Sequence, residues 1–338
     1  NRLSNALESV GVSVAIKTRD QNTFNAQRPA YLLISTPESV DSLLTSQAQV
    51  FSQLRAVVLD ELHLFDSTPR GDQLRVLLNR VRAIRAYAYS QARTPDATVQ
   101  YVALSATLPH SEAVAARYFP VDQVVENGGS RPLEAELISM SPESAEALVS
   151  YLHTFRSKGW RKALLFCNSR AEVETYAAAI RKCSPFGDAV YAHYSNIAPQ
   201  RRRTIEEQFA SHEVAICCAT STLELGIDIG NIDVVILIGP PGDTKSFLQR
   251  IGRGNRRAQV MRVAGFYRSP LEKLIFDVLC AAPVDLASAP SGAFRPAVAI
   301  QQIFSLLKQS PTASVRLNEV SGLFEGMLTP ADLAAILG

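Results

Sequence analysis

The sequence has little of what disulfide-rich, metal-binding or membrane proteins depend on. Its five cysteines include no C-x-x-C pair, and its five histidines include no helical H-x-x-x-H pair. Cys167, Cys217 and Cys218 lie in apolar runs, which favours reduced core thiols in a reducing compartment over a metal site. No apolar run approaches the roughly 20 residues that a membrane helix needs, and no secretory signal opens the chain. We therefore expect a cytoplasmic protein without a membrane partner.

The sequence also lacks a strong excess of charge. Its formal net charge is +2 over 338 residues, so any site for a polyanion must be a local patch of basic side chains. An apolar content of 47% is normal for a globular protein with a sizeable core, and this length predicts two or three domains. The chain does not begin with Met and begins in the middle of a pattern, so we expect a fragment of a longer protein.

Short apolar runs alternate with helical patterns along most of the chain. The runs are rich in β-branched residues and almost continuously apolar, which is typical of parallel strands covered on both faces. The predicted strands are residues 12–17, 31–35, 56–60, 99–104, 133–139, 163–167, 189–194, 214–219, 234–238 and 262–267. Helical patterns lie between many of them, notably at 73–88, 170–182 and 201–210. The predicted fold class is therefore α/β.

Two segments of linker composition divide the chain. The first covers residues 126–132, and the second covers 281–291 and is rich in Ala, Pro and Ser. We therefore predict domains at 1–130, 131–281 and 294–338. The last of these has helical patterns at 297–308, 317–324 and 329–337. Three short helices suit a helix-turn-helix module, and the chain stops where a β wing would follow.

An acidic pair, Asp60 and Glu61, stands at the carboxyl end of an apolar strand. Ligands of open α/β sheets bind outside the carboxyl ends of strands. Adjacent carboxylates there can divide the work of triphosphate hydrolysis, with Asp60 holding Mg²⁺ through water and Glu61 orienting or deprotonating the attacking water. A solvated acidic turn is the simpler interpretation of such a pair taken alone.

A second polar block, Ser105-Ala106-Thr107, follows another apolar strand. Small hydroxyl residues at a strand end can couple a nucleotide site to the elements around it. An ordinary Ser/Thr turn before a helix explains this block equally well.

Three predicted strands run into turns that are shaped for phosphate, because free backbone N–H groups at a helix start can bind a phosphodiester. An ordinary helix cap explains each turn taken singly. Three such turns after parallel strands favour a common track for one nucleic-acid backbone. The residues concerned are Thr36 as N-cap with Pro37 at N1; Asn168, Ser169 and Arg170, with Glu172 completing a capping box; and Thr220.

Arginines recur every third residue at positions 250, 253 and 256. A guanidinium stays charged and binds phosphate oxygens through two parallel hydrogen bonds. Three of them on one edge would only repel one another without a polyanion opposite. Together with the acidic pair and the Ser-Ala-Thr block, this row indicates a nucleoside-triphosphate machine that acts on nucleic acid.

No segment supplies a phosphate-binding P-loop. Residues 239–246, Gly-Pro-Pro-Gly-Asp-Thr-Lys-Ser, end like one, but a P-loop needs G-x-x-x-x-G-K-[ST] and position 244 is Thr. The two prolines also remove backbone donors. We predict a turn at 239–246, and the part that would hold the β- and γ-phosphates is missing.

In this order, the blocks resemble superfamily 2 DEAD/DEAH-box-like helicases of the large-helicase-related (Lhr) type. The strongest local likeness is at residues 220–230, Thr-Ser-Thr-Leu-Glu-Leu-Gly-Ile-Asp-Ile-Gly. Phe294-Arg295-Pro296 and the residues after it resemble that family's passage into a winged-helix domain. The likeness covers nearly all of the chain, and six motifs in order are highly specific although each is weak alone. The family's adenine-reading segment and Walker A segment are missing from the start of this sequence.

The resemblance implies two RecA-like parallel-sheet domains, the first truncated at its N-terminus, followed by a partial winged-helix domain. It implies ATP and Mg²⁺ as cofactors. It implies single-stranded or partly duplex DNA as the partner, with RNA or an RNA-DNA hybrid as alternatives. A 3′-to-5′ polarity and a role in DNA repair follow from the resemblance only, and no protein partner can be named.

The resemblance also implies a role for each motif residue. The nucleotide site would contain Asp60, Glu61, His63, Gly226, Asp228, Gln249, Arg253 and Arg256, the last two as arginine fingers on the γ-phosphate. Coupling between hydrolysis and unwinding would use Ser105, Thr107 and Arg250, with Arg250 supporting the acidic pair across a cleft. The nucleic-acid backbone would lie near Thr36, Pro37, Asn168, Ser169, Arg170 and Thr220.

Two other classes of protein stay open. One is a helicase remnant that binds nucleic acid without hydrolysing ATP, and the other is a helix-turn-helix regulator with the α/β part as an interaction platform. The intact acidic pair and arginine row favour a motor, because those groups serve only hydrolysis. The missing phosphate loop favours the remnant. We favour a truncated active helicase.

Overall fold

Strands and helices alternate through the protein, whose computed structural model describes residues 6–105, 110–125, 131–183, 186–224, 230–254, 260–281 and 293–337. The strands are β1 (Val14–Lys17), β2 (Leu32–Ser35), β3 (Ala56–Leu59), β4 (Gln100–Ala103), β5 (Leu133–Ser139), β6 (Lys162–Phe166), β7 (Val190–His193), β8 (Ala215–Ala219), β9 (Val234–Ile238) and β10 (Met261–Tyr267). All ten predicted strands are present, each within two residues of its predicted bounds. The α/β prediction is confirmed.

The helices are α1 (Pro37–Ser46), α2 (Pro69–Ser90), α3 (Ser111–Ala115), α4 (Glu146–His153), α5 (Phe155–Lys158), α6 (Arg170–Cys183), α7 (Pro199–Ser211), α8 (Thr244–Ile251), α9 (Pro270–Ala281), α10 (Pro296–Gln309), α11 (Leu317–Leu323) and α12 (Pro330–Leu337). The chain divides into two units. The first consists of Asn1–Val125 with Ser288–Gly338, and the second of Glu126–Ala287.

The second unit is built on a six-stranded sheet in the order β5-β10-β9-β6-β8-β7. Each neighbouring pair in this sheet is parallel. Every residue of β6, β8 and β9 is buried, because helices cover both faces and form one apolar cluster on each. Burial on both faces explains why these strands are apolar at almost every position. Apolar and polar residues alternate only in strands that have one face in water. Polar side chains are therefore confined to the strand ends.

The first unit contains two parallel pairs, β1 with β2 and β3 with β4. Leu59 and Leu62 pack in an apolar cluster with residues of α2. On β3 and β4, however, Val58 is 58% exposed and Val102 is 37% exposed. The prediction that both faces are covered thus holds for the central strands β6, β8 and β9 of the six-stranded sheet. It does not hold for the edge strand β5, which is mostly exposed, or for the β3–β4 pair, which has one apolar face exposed.

The three C-terminal helices are present as predicted and belong to the first unit. Phe294, Val298 and Phe324 pack with Val76 of α2 in one buried cluster. This segment therefore shares a core with the α/β part of its unit. The assignment of these helices to a winged-helix domain stays a prediction.

A buried polar network joins α10 to α1 and α2. Asp41 of α1 is 8% exposed, and its Oδ1 accepts hydrogen bonds from Arg80 Nη1 at 2.9 Å and Ser305 Oγ at 2.7 Å. Its Oδ2 accepts from Gln73 Nε2 at 3.1 Å and Gln302 Nε2 at 2.7 Å. Burial lowers the pKa of Arg80, and the nearby Asp41 carboxylate opposes that shift. Since a buried charge is tolerated only when it is paired and hydrogen-bonded, this network ties the three helices together.

We expect Asp41→Ala to lower the free energy of unfolding of the first unit by about 3–5 kcal/mol, because it leaves the Arg80 guanidinium buried without its carboxylate. Chemical denaturation of the purified chain measures the effect. Glu38→Ala on the same helix is the matched control. Its pair with Arg70 is about half exposed on both sides, so its loss should cost less than about 1 kcal/mol. Equal effects of the two substitutions would contradict a stabilising role for the network.

Candidate functional site

The acidic pair leaves the end of β3 through a strained turn. Glu61 has a left-handed backbone, with φ 53° and ψ 48°, a conformation that costs a non-glycine residue roughly 1–2 kcal/mol. Hydrogen bonds on both sides of the pair hold this turn: Leu104 N donates to Leu59 O at 2.8 Å, and Leu62 N donates to Leu104 O at 3.0 Å. Leu62 is fully buried, whereas Asp60 is exposed. The turn thus places the carboxylates at the carboxyl edge of the β3–β4 pair.

His63 connects the acidic pair to the Ser105 block. The His63 side chain is buried, and its Nδ1 lies 2.9 Å from Ser105 Oγ and 3.4 Å from Glu61 Oε2. Two blocks that are about 40 residues apart in sequence therefore meet at the ends of neighbouring strands, as strand-end placement predicts. Thr107, the other hydroxyl of that block, lies outside the described residues.

Asp60 has the chemistry that a hydrated Mg²⁺ needs. Mg²⁺ usually keeps several waters and is held by one or two carboxylates together with substrate phosphates. The exposed carboxylate of Asp60 at a strand end fits this pattern. Within the described ranges, no group of three or more His, Cys, Asp and Glu side chains could hold a metal ion by itself.

Thr36 and Pro37 form the helix start that the sequence predicts. Thr36 Oγ1 accepts a hydrogen bond from Ser39 N at 3.4 Å, and Pro37 occupies the first turn. Glu38 adds a negative charge there, but Arg70 donates to its carboxylate at 2.6 and 3.2 Å. The hydrogen bonds to Arg70 hold the pKa of Glu38 below its ordinary value. The charge of this turn is therefore compensated, and contact with a phosphodiester stays a prediction.

In the second unit, the capping box at the start of α6 is present, but it uses the donors that were expected to be free. Glu172 Oε2 accepts from Asn168 N at 3.1 Å and from Ser169 N at 3.2 Å, and Glu172 N donates to Ser169 Oγ at 3.2 Å. The predicted capping box is thus confirmed, and because its carboxylate occupies two backbone N–H groups, contact of this turn with a phosphodiester stays a prediction. The Ser169 hydroxyl still has its own hydrogen to donate.

Arg170 also has partners on the protein surface. Its Nη2 lies 3.0 Å from Glu174 Oε1, and its guanidinium lies over the Tyr194 ring at 4.8 Å. The side chain is 55% exposed, so it is accessible to a polyanion despite these contacts.

The third turn differs from the prediction. Thr220 precedes a short 3₁₀ turn, Ser221–Leu223, and makes no side-chain cap. Its backbone N donates to His193 O at 3.2 Å instead. An N-capped helix start at Thr220 was therefore wrong, because the chain forms only a single tight turn there. Gly226 and Asp228, which follow in the same motif, lie outside the described residues.

The arginine row begins at the end of α8, where Arg250 is 6% exposed. Its Nε donates to Glu224 Oε1 at 2.7 Å and its Nη1 donates to Asn168 Oδ1 at 3.0 Å. Asn168 follows β6, Glu224 follows β8 and Arg250 lies near the end of α8. Three motifs thus meet in one hydrogen-bonded group. Within its own unit the Arg250 guanidinium is thus buried and paired, and its support of the acidic pair Asp60-Glu61 across a cleft stays a prediction.

Arg253 lies just beyond the end of α8 and is 7% exposed. Its Nε donates to the backbone carbonyl of Glu224 at 3.0 Å, and its Nη2 donates to the same oxygen. Gln249, also predicted for the nucleotide site, is half-buried on α8. Arg256 lies outside the described residues.

In the segment that resembles a P-loop, residues 239–243 connect β9 to α8 as a turn, and residues 244–246 already belong to α8. Gly239 has a φ of 71°, and a Cβ there would lie 2.7 Å from Arg268 Nη2. Asn168 Nδ2 donates to the Pro240 carbonyl at 3.0 Å, and Asp243 caps α8 by accepting from Ser246 N at 2.7 Å. The Thr-Lys-Ser stretch is thus the first turn of α8.

Sequence reasoning missed a buried histidine relay behind the Thr220 turn. His193, which is 1% exposed, ends β7. Its Nδ1 lies 2.8 Å from Thr222 Oγ1, and its Nε2 lies 2.9 Å from Glu206 Oε1. Burial lowers the pKa of His193, while Glu206 opposes the shift. The sequence feature that could have indicated these contacts is a histidine at the carboxyl end of a predicted strand.

Two protein families match separate parts of the chain. The family described as DEAD/DEAH box helicase matches residues 1–115, and the helicase conserved C-terminal domain matches residues 143–258. The ATP-dependent helicase Lhr-Core of Methanocaldococcus jannaschii is 29% identical over 264 residues, which is 73% of this chain and 29% of that protein. Lhr-Core of Saccharolobus solfataricus is 30% identical over 263 residues, covering 72% of this chain and 29% of that protein.

The chain belongs to the superfamily 2 helicases of the Lhr type. It spans less than a third of the length of the Lhr-Core relatives. Among solved structures, helicase Lhr of Mycobacterium smegmatis bound to ssDNA and AMP-PNP has a TM-score of 0.78 at 21% identity, covering 99% of this chain and 46% of that one. The DUF1998 helicase MrfA bound to DNA and AMPPNP also has a TM-score of 0.78, at 19% identity over 99% of this chain and 48% of that one. These two likenesses establish the fold.

Among the described residues, no helix of this Lhr-type chain is both long and apolar enough to span a bilayer.

We expect the buried neutral His193 to make the second unit of this Lhr-type chain less stable in acid. Its folded pKa lies below the ordinary value of 6.5, so the unfolded chain binds the proton more readily. Stability is therefore lost as pH falls from about 6.5 through the lowered folded value. His193→Gln should reduce this dependence, measured as the free energy of unfolding between pH 7.5 and 5. The exposed His153→Gln is the control, and an unchanged pH dependence in His193→Gln would contradict the expectation.

Proposed function

We propose that this chain is part of an ATP-dependent nucleic-acid helicase or translocase that moves 3′-to-5′ on single-stranded DNA and acts in DNA repair. One observation carries the helicase assignment, whereas the polarity and the repair role rest on the resemblance to the family. In each unit, taken by itself, motif residues from distant parts of the sequence gather at the carboxyl ends of parallel strands. Glu61, His63 and Ser105 do so in the first unit, and Asn168 and Arg250 in the second.

The relatives support the same proposal by what they bind. The Lhr-Core proteins are described as ATP-dependent helicases. The M. smegmatis Lhr structure contains ssDNA and AMP-PNP, and the MrfA structure contains DNA and AMPPNP. We extend both ligand classes to the parent of this chain. DNA is the proposed strand, and RNA or an RNA-DNA hybrid is the alternative, since contacts to phosphate do not test for a 2′-hydroxyl. The buried free thiols Cys167, Cys217 and Cys218 suit the proposed cytoplasmic setting.

The proposed chemistry divides between the two units. Asp60 would hold Mg²⁺, which neutralises charge on the phosphates when bound. Glu61 would orient and deprotonate the attacking water. Its left-handed backbone is a strained conformation of the kind that is found at active sites. His63 would hold Glu61 and Ser105 in one arrangement. Adenine and the β- and γ-phosphates would be held by the phosphate-binding loop of the parent protein.

Arg253 and Arg256 would stabilise charge on the γ-phosphate. An arginine finger contributes roughly 10³–10⁵-fold to phosphoryl transfer. In the present structure the Arg253 guanidinium is bound to the Glu224 carbonyl, so the proposal requires it to exchange this partner for phosphate oxygens when the nucleotide site is complete. Hydrolysis would then depend on a conformational step, and differential contacts in the two states would drive movement along the strand.

We expect Glu61→Gln, in a parent protein that carries the phosphate-binding loop, to lower the kcat of ATP hydrolysis by about 10²–10⁴-fold, because the amide cannot accept the water proton. Binding of a fluorescent ATP analogue with Mg²⁺ should be retained, since the change is nearly isosteric. Glu112→Gln, which alters an exposed carboxylate of α3, is the control. Turnover of Glu61→Gln at the wild-type rate would remove Glu61 from the catalytic role.

We expect Ser169→Ala and Thr220→Ala each to weaken single-strand binding by roughly three- to tenfold, the effect of one lost hydrogen bond to phosphate. Because phosphate contacts carry no sequence information, the loss should be the same on strands of every base composition. Fluorescence anisotropy with poly-dT and mixed-sequence oligonucleotides measures it. Thr204→Ala on α7 is the control for loss of an exposed hydroxyl, and a loss confined to one base sequence would indicate base reading.

A further inference from the structure

Glu224 holds both described arginines of the row through two different groups. Its carboxylate Oε1 accepts from Arg250 Nε at 2.7 Å, and the two side chains are 9% and 7% exposed. Its backbone carbonyl accepts from Arg253 Nε at 3.0 Å and also from Arg253 Nη2. One residue outside the row thus determines where two guanidinium groups lie.

Arg250 needs the carboxylate of Glu224 because its guanidinium lies in an apolar environment. Its guanidinium lies over the Phe166 ring, 5.3 Å from the centroid, and Phe166 is fully buried. Asn168 supplies only an amide oxygen, which carries no charge. A buried guanidinium without a carboxylate is strongly disfavoured, so the charge of Glu224 determines the position of Arg250.

The backbone after α8 brings the second arginine to the same residue. Arg253 N donates to Arg250 O at 3.1 Å, and Gly254 N donates to Ile251 O at 3.1 Å. A Cβ at Gly254 would lie 2.9 Å from Val235 Cγ2, so this tight segment packs closely on β9. The three-residue spacing of Arg250 and Arg253 in a helix-like segment places both on one face, and Glu224 lies opposite that face.

Glu224 is also tied to the turn that begins at Thr220. Its backbone N donates to Ser221 O at 3.0 Å and closes the 3₁₀ turn Ser221–Leu223. The same turn is anchored on its other side by the contact of Thr222 with His193. A displacement of Thr220 therefore moves the Glu224 carbonyl and carboxylate together, because a single hydrogen-bonded turn joins them.

We propose that Glu224 is a positioning residue that places Arg250 for triphosphate hydrolysis, holds Arg253 at its backbone carbonyl until that guanidinium turns to the phosphate, and links both arginines to strand contact at Thr220. This inference rests on the proposed function and deepens it. Glu224 touches neither nucleotide nor strand in this account. It acts through the arginines, so its loss should affect the chemical step more than ATP binding.

The test is a double-mutant cycle in the parent protein that carries the phosphate-binding loop. Glu224→Gln, Arg250→Gln and the double variant are compared for kcat and KM of ATP hydrolysis at saturating single-stranded DNA. We expect Glu224→Gln to lower kcat by roughly 10- to 100-fold with KM for ATP nearly unchanged, since the hydrogen bond to Arg250 loses its charge and the arginines act in the transition state. The double variant should be no slower than Arg250→Gln alone, because Glu224 acts through that arginine.

Two outcomes would overturn the inference: wild-type kcat in Glu224→Gln, or losses that multiply in the double variant. Thermal unfolding checks that each variant is folded. If Glu224→Gln does not fold, Glu224→Asp, which keeps the charge but shortens the reach, replaces it in the cycle, and losses that multiply with Arg250→Gln again count against the inference. Glu134→Gln is the matched control, because it breaks the Arg262 pair at the amino-terminal start of β5. A wild-type protein without DNA-stimulated ATPase would instead refute the proposed function.

Discussion

The central strands of the second unit's parallel sheet are buried on both faces, and this constraint determines where chemistry can be located. All residues of β6, β8 and β9 are buried and only Lys162, the first residue of β6, is charged, so functional side chains occupy the turns where strands end. All six strands run in the same direction, and their carboxyl ends therefore form one edge. Asn168 follows β6, Thr220 and Glu224 follow β8, and Arg250 of α8 donates hydrogen bonds to Glu224 and Asn168.

A charged side chain that is buried needs a partner of opposite charge, in the sheet and between helices alike. Arg250 is paired with Glu224 in the second unit, and Arg80 is paired with Asp41 in the first. The first of these pairs orients a motif arginine, whereas the second joins the C-terminal helices to the α/β part of their unit. The same physical requirement, that a buried charge needs a hydrogen-bonded partner, thus serves the proposed mechanism in one unit and architecture in the other.

Sequence patterns predicted the fold well because apolar runs and helix caps are local signals. The strand ends, the Thr36 cap, the Ser169–Glu172 capping box and the turn at 239–246 all followed from short stretches of residues. The prediction of a capped helix start failed at Thr220, where a single 3₁₀ turn follows instead of a helix. The Thr220 N–H is used by His193 of a neighbouring strand, a partner that no local pattern indicates. The residues implied by resemblance in 106–109, 225–229 and 255–259 lie outside the described ranges.

By itself the sequence determined the class of fold, the order of the motifs and the family, because these depend on which residues follow one another. Only the tertiary structure decided which side chains meet: His63 with Ser105, Glu206 with His193, and Glu224 with Arg250. The members of these pairs lie 42, 13 and 26 residues apart. No local pattern encodes such distances, since they arise from the register of parallel strands and the burial that accompanies it.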